Sequence, residues 1–201
     1  MPEFRYLWAQ ALTRFNPADR ARVQNIRLAV QKLDGRVILP GAVFSFNQAV
    51  GSRQAPDAGF EAAPVFTDKG RVRALGGGVC QVSSTLYAAA LLTDLQVIER
   101  HAHAMPVPYL EPGLDATVSS VLDLKVKNPH LFAVQIRASV EERRLQVELW
   151  GEKPPSTRVR LSRFASRCVR DRMPALQVTV WRVYPNGRRE KMSEDVYYLG
   201  R

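Results

Sequence analysis

One cysteine in this chain stands where a thiol becomes reactive. The run Gly76-Gly77-Gly78-Val79-Cys80-Gln81-Val82-Ser83-Ser84-Thr85 reads as a glycine loop that delivers Cys80 to the first turn of a helix. The positive end of a helix favours thiolate over thiol, and thiolate is the nucleophile. Farther along, His101-Ala102-His103 supplies imidazoles that can take and return a proton during acyl transfer.

Chain lengths allow the two to meet. A helix over 80–93 climbs about 20 Å at 1.5 Å per residue. A strand returning over 96–103 covers about 23 Å, so antiparallel packing brings His103 level with the sulfur. Period-two alternation predicts that Glu99, His101 and His103 share a face. A third group usually orients such a base, and Asp115 and Asp123 are both candidates. Backbone N–H groups of Gly76, Gly77, Gly78 and the first helical turn can hold an oxyanion.

Blander readings stand beside this one. A cysteine at a helix start is often inert, and two histidines can simply close a strand. Asn47, Gln81, Ser83, Ser84 and Thr85 can serve only the backbone around the loop. Cys80, His101, His103 and a carboxylate make a conceivable zinc set, but no Cys-x-x-Cys pair supports it and no metal is expected. The triplet lacks both the Gly-Lys-Ser/Thr ending of a phosphate loop and dinucleotide spacing, so no cofactor is expected either. Cys168 lies among Arg163, Arg167, Arg170 and Arg172 without a neighbouring histidine and reads as an incidental thiol. Two cysteines are too few for a disulfide framework.

The elements that must position these groups follow from the pattern. At 201 residues with 46% hydrophobic content, the chain suits one domain with a small appendage, and disordered classes are excluded. Val23, Ile26, Val30 and Leu33 recur at helical spacing over 18–33, after Asn16-Pro17 and before Gly35. Strands are predicted at 37–39, 43–47, 95–100, 122–127, 134–140, 145–150, 158–162 and 176–184, with a return strand after the Pro185-Asn186-Gly187 turn. Residues 51–59 read as loop, and 64–75 as irregular or strand-like with a turn at Asp68-Lys69-Gly70. Pro154-Pro155 suggests a boundary, dividing the chain into a lead-in (1–17), a main domain (18–151) and a basic β-rich extension (154–201). The expected fold class is α+β: two or three helices packed on a mostly antiparallel sheet, with a β-rich C-terminal extension.

A net charge of +10 favours anionic partners. No RNP, helix-turn-helix or zinc-finger spacing accompanies it, so no nucleic-acid partner is expected, and charge is the sole motive for that reading. No apolar run reaches the ~18 residues of a membrane span. The N-terminus from Met1 to Trp8 lacks the regions of a secretory signal.

At this point the residues resemble a known family. Leu39 to Asn47 with Val50-Gly51, the Gly76 to Tyr87 segment, Glu99-Arg100-His101-Ala102-His103, then Tyr109, Gly113, Asp115-Ala116-Thr117-Val118 and Asp123 are similar, in order, to the motifs of VanW-type domains. The similarity covers about residues 20–151 and is looser beyond 154. Some VanW-domain proteins are described as L,D-transpeptidases that cross-link peptidoglycan stem peptides through a cysteine. The resemblance therefore implies a cell-envelope role, with Cys80 as nucleophile, His103 as the histidine closing the Glu-Arg-x-x-His pattern, and Asp115 as its aspartate. His101 occupies a variable slot. Gly77, Gly78, Gln81, Ser83, Ser84, Asn47, His101 and Tyr109 are the implied oxyanion- or substrate-binding positions. The implied partner is a stem peptide or another anionic wall polymer. The alternative is a non-catalytic module that binds a wall peptide or glycopeptide in connection with vancomycin resistance, its glycine loop holding a terminal carboxylate.

Overall fold

A computed structural model describes residues 3–55, 57–67 and 70–199. Its fifteen elements are β1 (Tyr6–Arg14), α1 (Arg20–Leu33), β2 (Val37–Ile38), β3 (Val43–Ser45), α2 (Phe46–Val50), β4 (Ala62–Thr67), β5 (Gly70–Leu75), α3 (Val79–Leu91), β6 (Gln96–Glu99), β7 (Lys125–Lys127), β8 (Val134–Glu141), β9 (Arg144–Gly151), β10 (Arg160–Arg170), β11 (Met173–Val183) and β12 (Arg189–Tyr198). The fold is α+β. Every strand pairing is antiparallel, in sheets ordered β1-β9-β8-β2, β3-β7-β6 and β10-β11-β12, with a β4-β5 hairpin.

The apolar stripe of α1 places Ile26, Ala29 and Leu33 fully inside, where each larger side chain contributes about 1.5–3 kcal/mol by leaving water. The cap differs from the expected Asn16-Pro17: Asp19 accepts from Arg22 N at 3.2 Å, while Asn16 serves Ala18 N at 3.0 Å. Helix α3 is buried all round, with Cys80 its single residue short of full burial. Its β-branched start is poor helix material, and packing against α1, β1 and β9 holds it instead.

Several expectations are corrected. Residues 6–14 of the lead-in form β1, an edge strand registered on β9 from Tyr6↔Gly151 to Arg14↔Arg144. The strand expected over 43–47 ends at Ser45, whose Oγ accepts from Gln48 N at 3.1 Å and starts α2. The strand expected over 95–100 stops at Glu99, so His101 and His103 lie beyond it. The segment over 64–75 is the β4-β5 hairpin, and the turn placed at Asp68-Lys69-Gly70 lies at residues 68–69 outside the described part. The strand expected at 158–162 continues to Arg170, and Asp171-Arg172, at φ +49° and +64°, turns it into β11. The Pro185-Asn186-Gly187 turn is present, with Gly187 at φ +83° and Tyr184 N donating to Arg188 O at 2.9 Å.

Candidate active site

The glycine triplet has a separate reason at each position. A Cβ at Gly76 would meet Arg53 Cδ at 2.5 Å, and one at Gly77 would meet the Ala63 carbonyl oxygen at 2.5 Å. Gly78 is the N-cap of α3 at φ +109°, a conformation that favours glycine. The loop's amides are largely committed: Gly76 N donates to Glu61 O, Gly77 N to Ala74 O, Val79 N to Gly76 O and Gln81 N to Gly78 O. Among the described residues this leaves the Gly78 and Cys80 amides as candidate oxyanion donors, and it withdraws Gly77.

Cys80 and Cys168 are both free thiols. The Cys80 thiol directs a hydrogen bond to the Val118 carbonyl at 3.4 Å. Burial pushes its pKa up, but the hydrogen bond and positive charge of His103, with Arg53 adding to them, outweigh this and hold it below the ordinary thiol value. His103 responds in kind. Burial opposes its charge, yet Asp115 and the Cys80 sulfur carry its pKa up to about 9. Each group thus favours the charged form of the other, thiolate on Cys80 and imidazolium on His103.

Asp115 fixes the imidazole from behind. His103 Nδ1 meets Asp115 Oδ2 at 2.6 Å, and the His103 amide donates to the same oxygen at 2.8 Å. A carboxylate only accepts, so Nδ1 carries the proton and Nε2 is the nitrogen left for the sulfur. Asp115 is fully buried. Burial works against its charge, but His103, Arg100 and Tyr197 bring its pKa down to about 2. Its Oδ1 accepts from Tyr197 Oη at 2.5 Å and from Arg100 Nη2 at 3.2 Å. Arg100 also donates Nε to the Asp115 carbonyl at 2.6 Å and Nη1 to Asp195 at 2.6 Å. The other candidate orienter, Asp123, lies elsewhere, accepting from Ser45 Oγ at 2.5 Å, Asn47 N at 2.9 Å and Leu124 N at 2.8 Å.

The remaining residues divide by burial. Ser83 and Ser84 are fully buried; their hydroxyls donate to Ala116 O at 2.7 and 3.3 Å and to Cys80 O at 3.1 and 2.6 Å. They tie α3 to the segment that carries Asp115, so no substrate reaches them. Gln81, 1% exposed, gives Nε2 to Thr13 Oγ1 at 3.0 Å and Arg14 O at 2.9 Å, and receives Arg22 Nη2 at 3.0 Å. Tyr109 lies close enough to Cys80 to feel its charge, and its hydroxyl is hydrogen-bonded to Ser84. Burial raises its pKa far above neutrality and the Cys80 charge raises it further, so its hydroxyl remains a donor there. His101 is not on the same face as His103: its Nε2 pairs with Glu99 Oε1 at 3.1 Å at the surface. Strict alternation does not reach these residues because the strand ends at Glu99, after which both Arg100 and His103 turn to Asp115. Among the described residues no three His, Cys, Asp or Glu side chains form a metal-binding group.

Two grooves are lined by residues that neighbour Cys80 in sequence or act on it by charge. One, of about 330 Å³, is lined by Gln81, Tyr109, Arg22 and Pro64. The other, of about 260 Å³, is lined by Asn47, Arg53, Ser119 and Ser120. Sequence reasoning missed Arg53, Tyr197 and Asp195, which carry no local signal, and gave Arg100 no role although it stands inside the Glu-Arg-x-x-His motif.

The family described as VanW like protein matches residues 21–150. This chain belongs to the VanW family. It is 36% identical over 152 residues to the uncharacterized protein YoaR of Bacillus subtilis (strain 168), covering 75% of this chain and 50% of that protein. It is 30% identical over 157 residues to the vancomycin B-type resistance protein VanW of Enterococcus faecalis (strain ATCC 700802 / V583), covering 75% of this chain and 56% of that protein. The chain thus spans about half the length of these curated relatives. No solved structure matches it significantly. Among the described residues no helix is long and apolar enough to cross a membrane.

Proposed function

We propose that this VanW-family chain is a cysteine acyltransferase of L,D-transpeptidase type acting on peptidoglycan stem peptides. The observation that carries the reading is the line Cys80–His103–Asp115, placed at the only incompletely buried position of an otherwise sealed helix. A helix that hides every neighbour of one thiol has its opening where a substrate can use it.

The reaction proceeds in two halves. The Cys80 thiolate attacks the carbonyl carbon of the donor peptide bond, and the Cys80 and Gly78 amides with the Tyr109 hydroxyl receive the charge on the oxygen. His103 gives its Nε2 proton to the departing nitrogen, so the terminal residue leaves as a neutral amine that keeps its carboxylate, and a thioester remains. The neutral imidazole then takes a proton from an incoming amine, or from water, as that nucleophile attacks the thioester and the sulfur departs as thiolate. Asp115 keeps Nδ1 protonated throughout, which holds Nε2 in the accepting form for the second half.

The naming of one relative for vancomycin resistance supports an envelope setting, and the +10 charge suits an acidic wall polymer. Incubation with a stem tetrapeptide or a carbapenem is expected to add the acyl mass to the protein, and Cys80→Ala to remove that adduct. An unchanged intact mass of the wild-type protein with every such donor would overturn the reading and leave ligand capture by the same site.

A further inference from the structure

We infer that Arg53 and Asn47 form a subsite that reads the free carboxylate of the residue released from the donor, so that the chain selects peptides ending in a carboxylate next to the bond it opens. This deepens the acyltransferase reading and rests on it for the identity of the ligand.

The groove holding both residues contains two polar atoms without partners. Arg53 Nη1 is buried and makes no hydrogen bond among the described residues, and neither does Asn47 Oδ1. An unpaired guanidinium N–H away from water is costly unless a ligand completes it. The position of Arg53 is imposed: its stem packs on Gly76, where any Cβ would collide with it at 2.5 Å. The Asn47 amide is equally fixed, since Nδ2 donates to Ser119 O at 3.0 Å and Leu122 O at 2.9 Å, which orients Oδ1 as the one free acceptor. Both line the same cavity of about 260 Å³.

Asp123, the carboxylate whose charge acts on Arg53, makes its hydrogen bonds elsewhere. It takes them from Ser45, Asn47 N and Leu124 N. Arg53 therefore presents a positive charge with a vacant donor, and that charge is felt at the Cys80 sulfur. A carboxylate lies only three bonds from the scissile carbonyl carbon in a terminal residue, so a cation close enough to influence the nucleophile is within reach of it. A donor for the carboxylate and an acceptor for an N–H on one wall match the two ends of a terminal amino acid. The anion would accept charge-assisted hydrogen bonds from Arg53, and the amide N–H would donate to Asn47 Oδ1.

The test measures binding in the full chain with Cys80→Ala, which removes the chemistry. An N-acetylated tetrapeptide ending in L-Lys-D-Ala is titrated as its free acid and as its C-terminal amide, with Arg53 intact, with Arg53→Met and with Arg53→Lys. The acid is expected to bind roughly tenfold or more tighter than the amide. Arg53→Met is expected to erase that preference and Arg53→Lys to restore part of it, with unchanged far-ultraviolet circular dichroism as the folding control. Equal binding of acid and amide by the Arg53 protein, a preference that survives Arg53→Met, or no binding of the acid at millimolar concentration overturns the inference. Acylation of the wild-type protein by both forms at equal rates would sink the subsite while leaving the acyltransferase reading standing. Absence of any acylation, with the Arg53-dependent preference intact, would do the reverse.

Discussion

At Asp115 four hydrogen bonds converge on one fully buried carboxylate, and their directions determine what His103 can do. The Nδ1 and backbone contacts hold the ring, while Tyr197 and Arg100 hold the carboxylate. Asp115→Asn keeps the shape but presents an amide where a charge compensated the imidazolium. It is expected to slow acyl-enzyme formation on the order of 10²- to 10⁴-fold, read from the rate of intact-mass gain. A rate within threefold of wild type would contradict the assigned role. The same pair makes stability depend on pH. His103 rises from 6.5 to about 9, so its contribution is complete below 6.5 and lost as pH rises through about 9. Asp115 falls from 3.8 to about 2, so its contribution is complete above 3.8 and lost as pH falls through about 2. The melting temperature of wild type is expected to decline across pH 7–9 more steeply than that of Asp115→Asn; parallel profiles would contradict the pairing.

Among the elements, α3 carries the argument, and its far end is held by a strand remote in sequence. The side chain of Arg182, on β11 and 1% exposed, donates to Leu91 O at 3.2 Å, Ala90 O at 3.2 Å and Leu95 O at 3.1 Å. Ala90 and Leu91 belong to the last turn of α3, where carbonyls lack helical partners and a cation suits the helix dipole, while Leu95 lies just beyond it; Ala90 O also accepts from Thr93 N at 3.1 Å and Thr93 Oγ1 at 2.8 Å. Arg182→Met removes three buried hydrogen bonds, Ala90 O alone keeping its donors from Thr93, and is expected to destabilise the protein by about 2–4 kcal/mol, measured by denaturant unfolding. A loss below 0.5 kcal/mol would show that the contacts are incidental. The sequence displayed α3 itself, through its glycine loop and apolar run, and it displayed Cys80, His103 and Asp115 through motif spacing. It could not display Arg182 or Tyr197, because a buried arginine and a tyrosine in a strand look like any others until the strand is docked. Alternation misplaces the face of His101 for a local reason: β6 ends at Glu99, two residues short of it. The β1 strand was missed because Tyr6 to Arg14 gains its pairing from β9, more than a hundred residues away.

Over the whole molecule, the last sheet and the site are joined through side chains. Tyr197 reaches Asp115 and Gly113 N, Asp195 reaches Arg100, and a Cβ at Gly113 would strike Val180 at 2.6 Å. We propose that residues 154–201, although set off by Pro154-Pro155, are needed for the site to hold its shape. A chain ending at Lys153 is expected to lose cooperative unfolding and Cys80 acylation together; a truncated chain that acylates at the full-length rate would contradict this. The account as a whole requires a thiolate at Cys80 that exists because His103 is charged beside it. The most direct measurement is the pH dependence of iodoacetamide alkylation at Cys80, followed by peptide mass so that Cys168 is resolved separately, in wild type and in His103→Ala. A Cys80 midpoint below the ordinary thiol value that moves upward in His103→Ala is the predicted result. An ordinary midpoint in wild type, or one that His103→Ala leaves in place, would contradict the account.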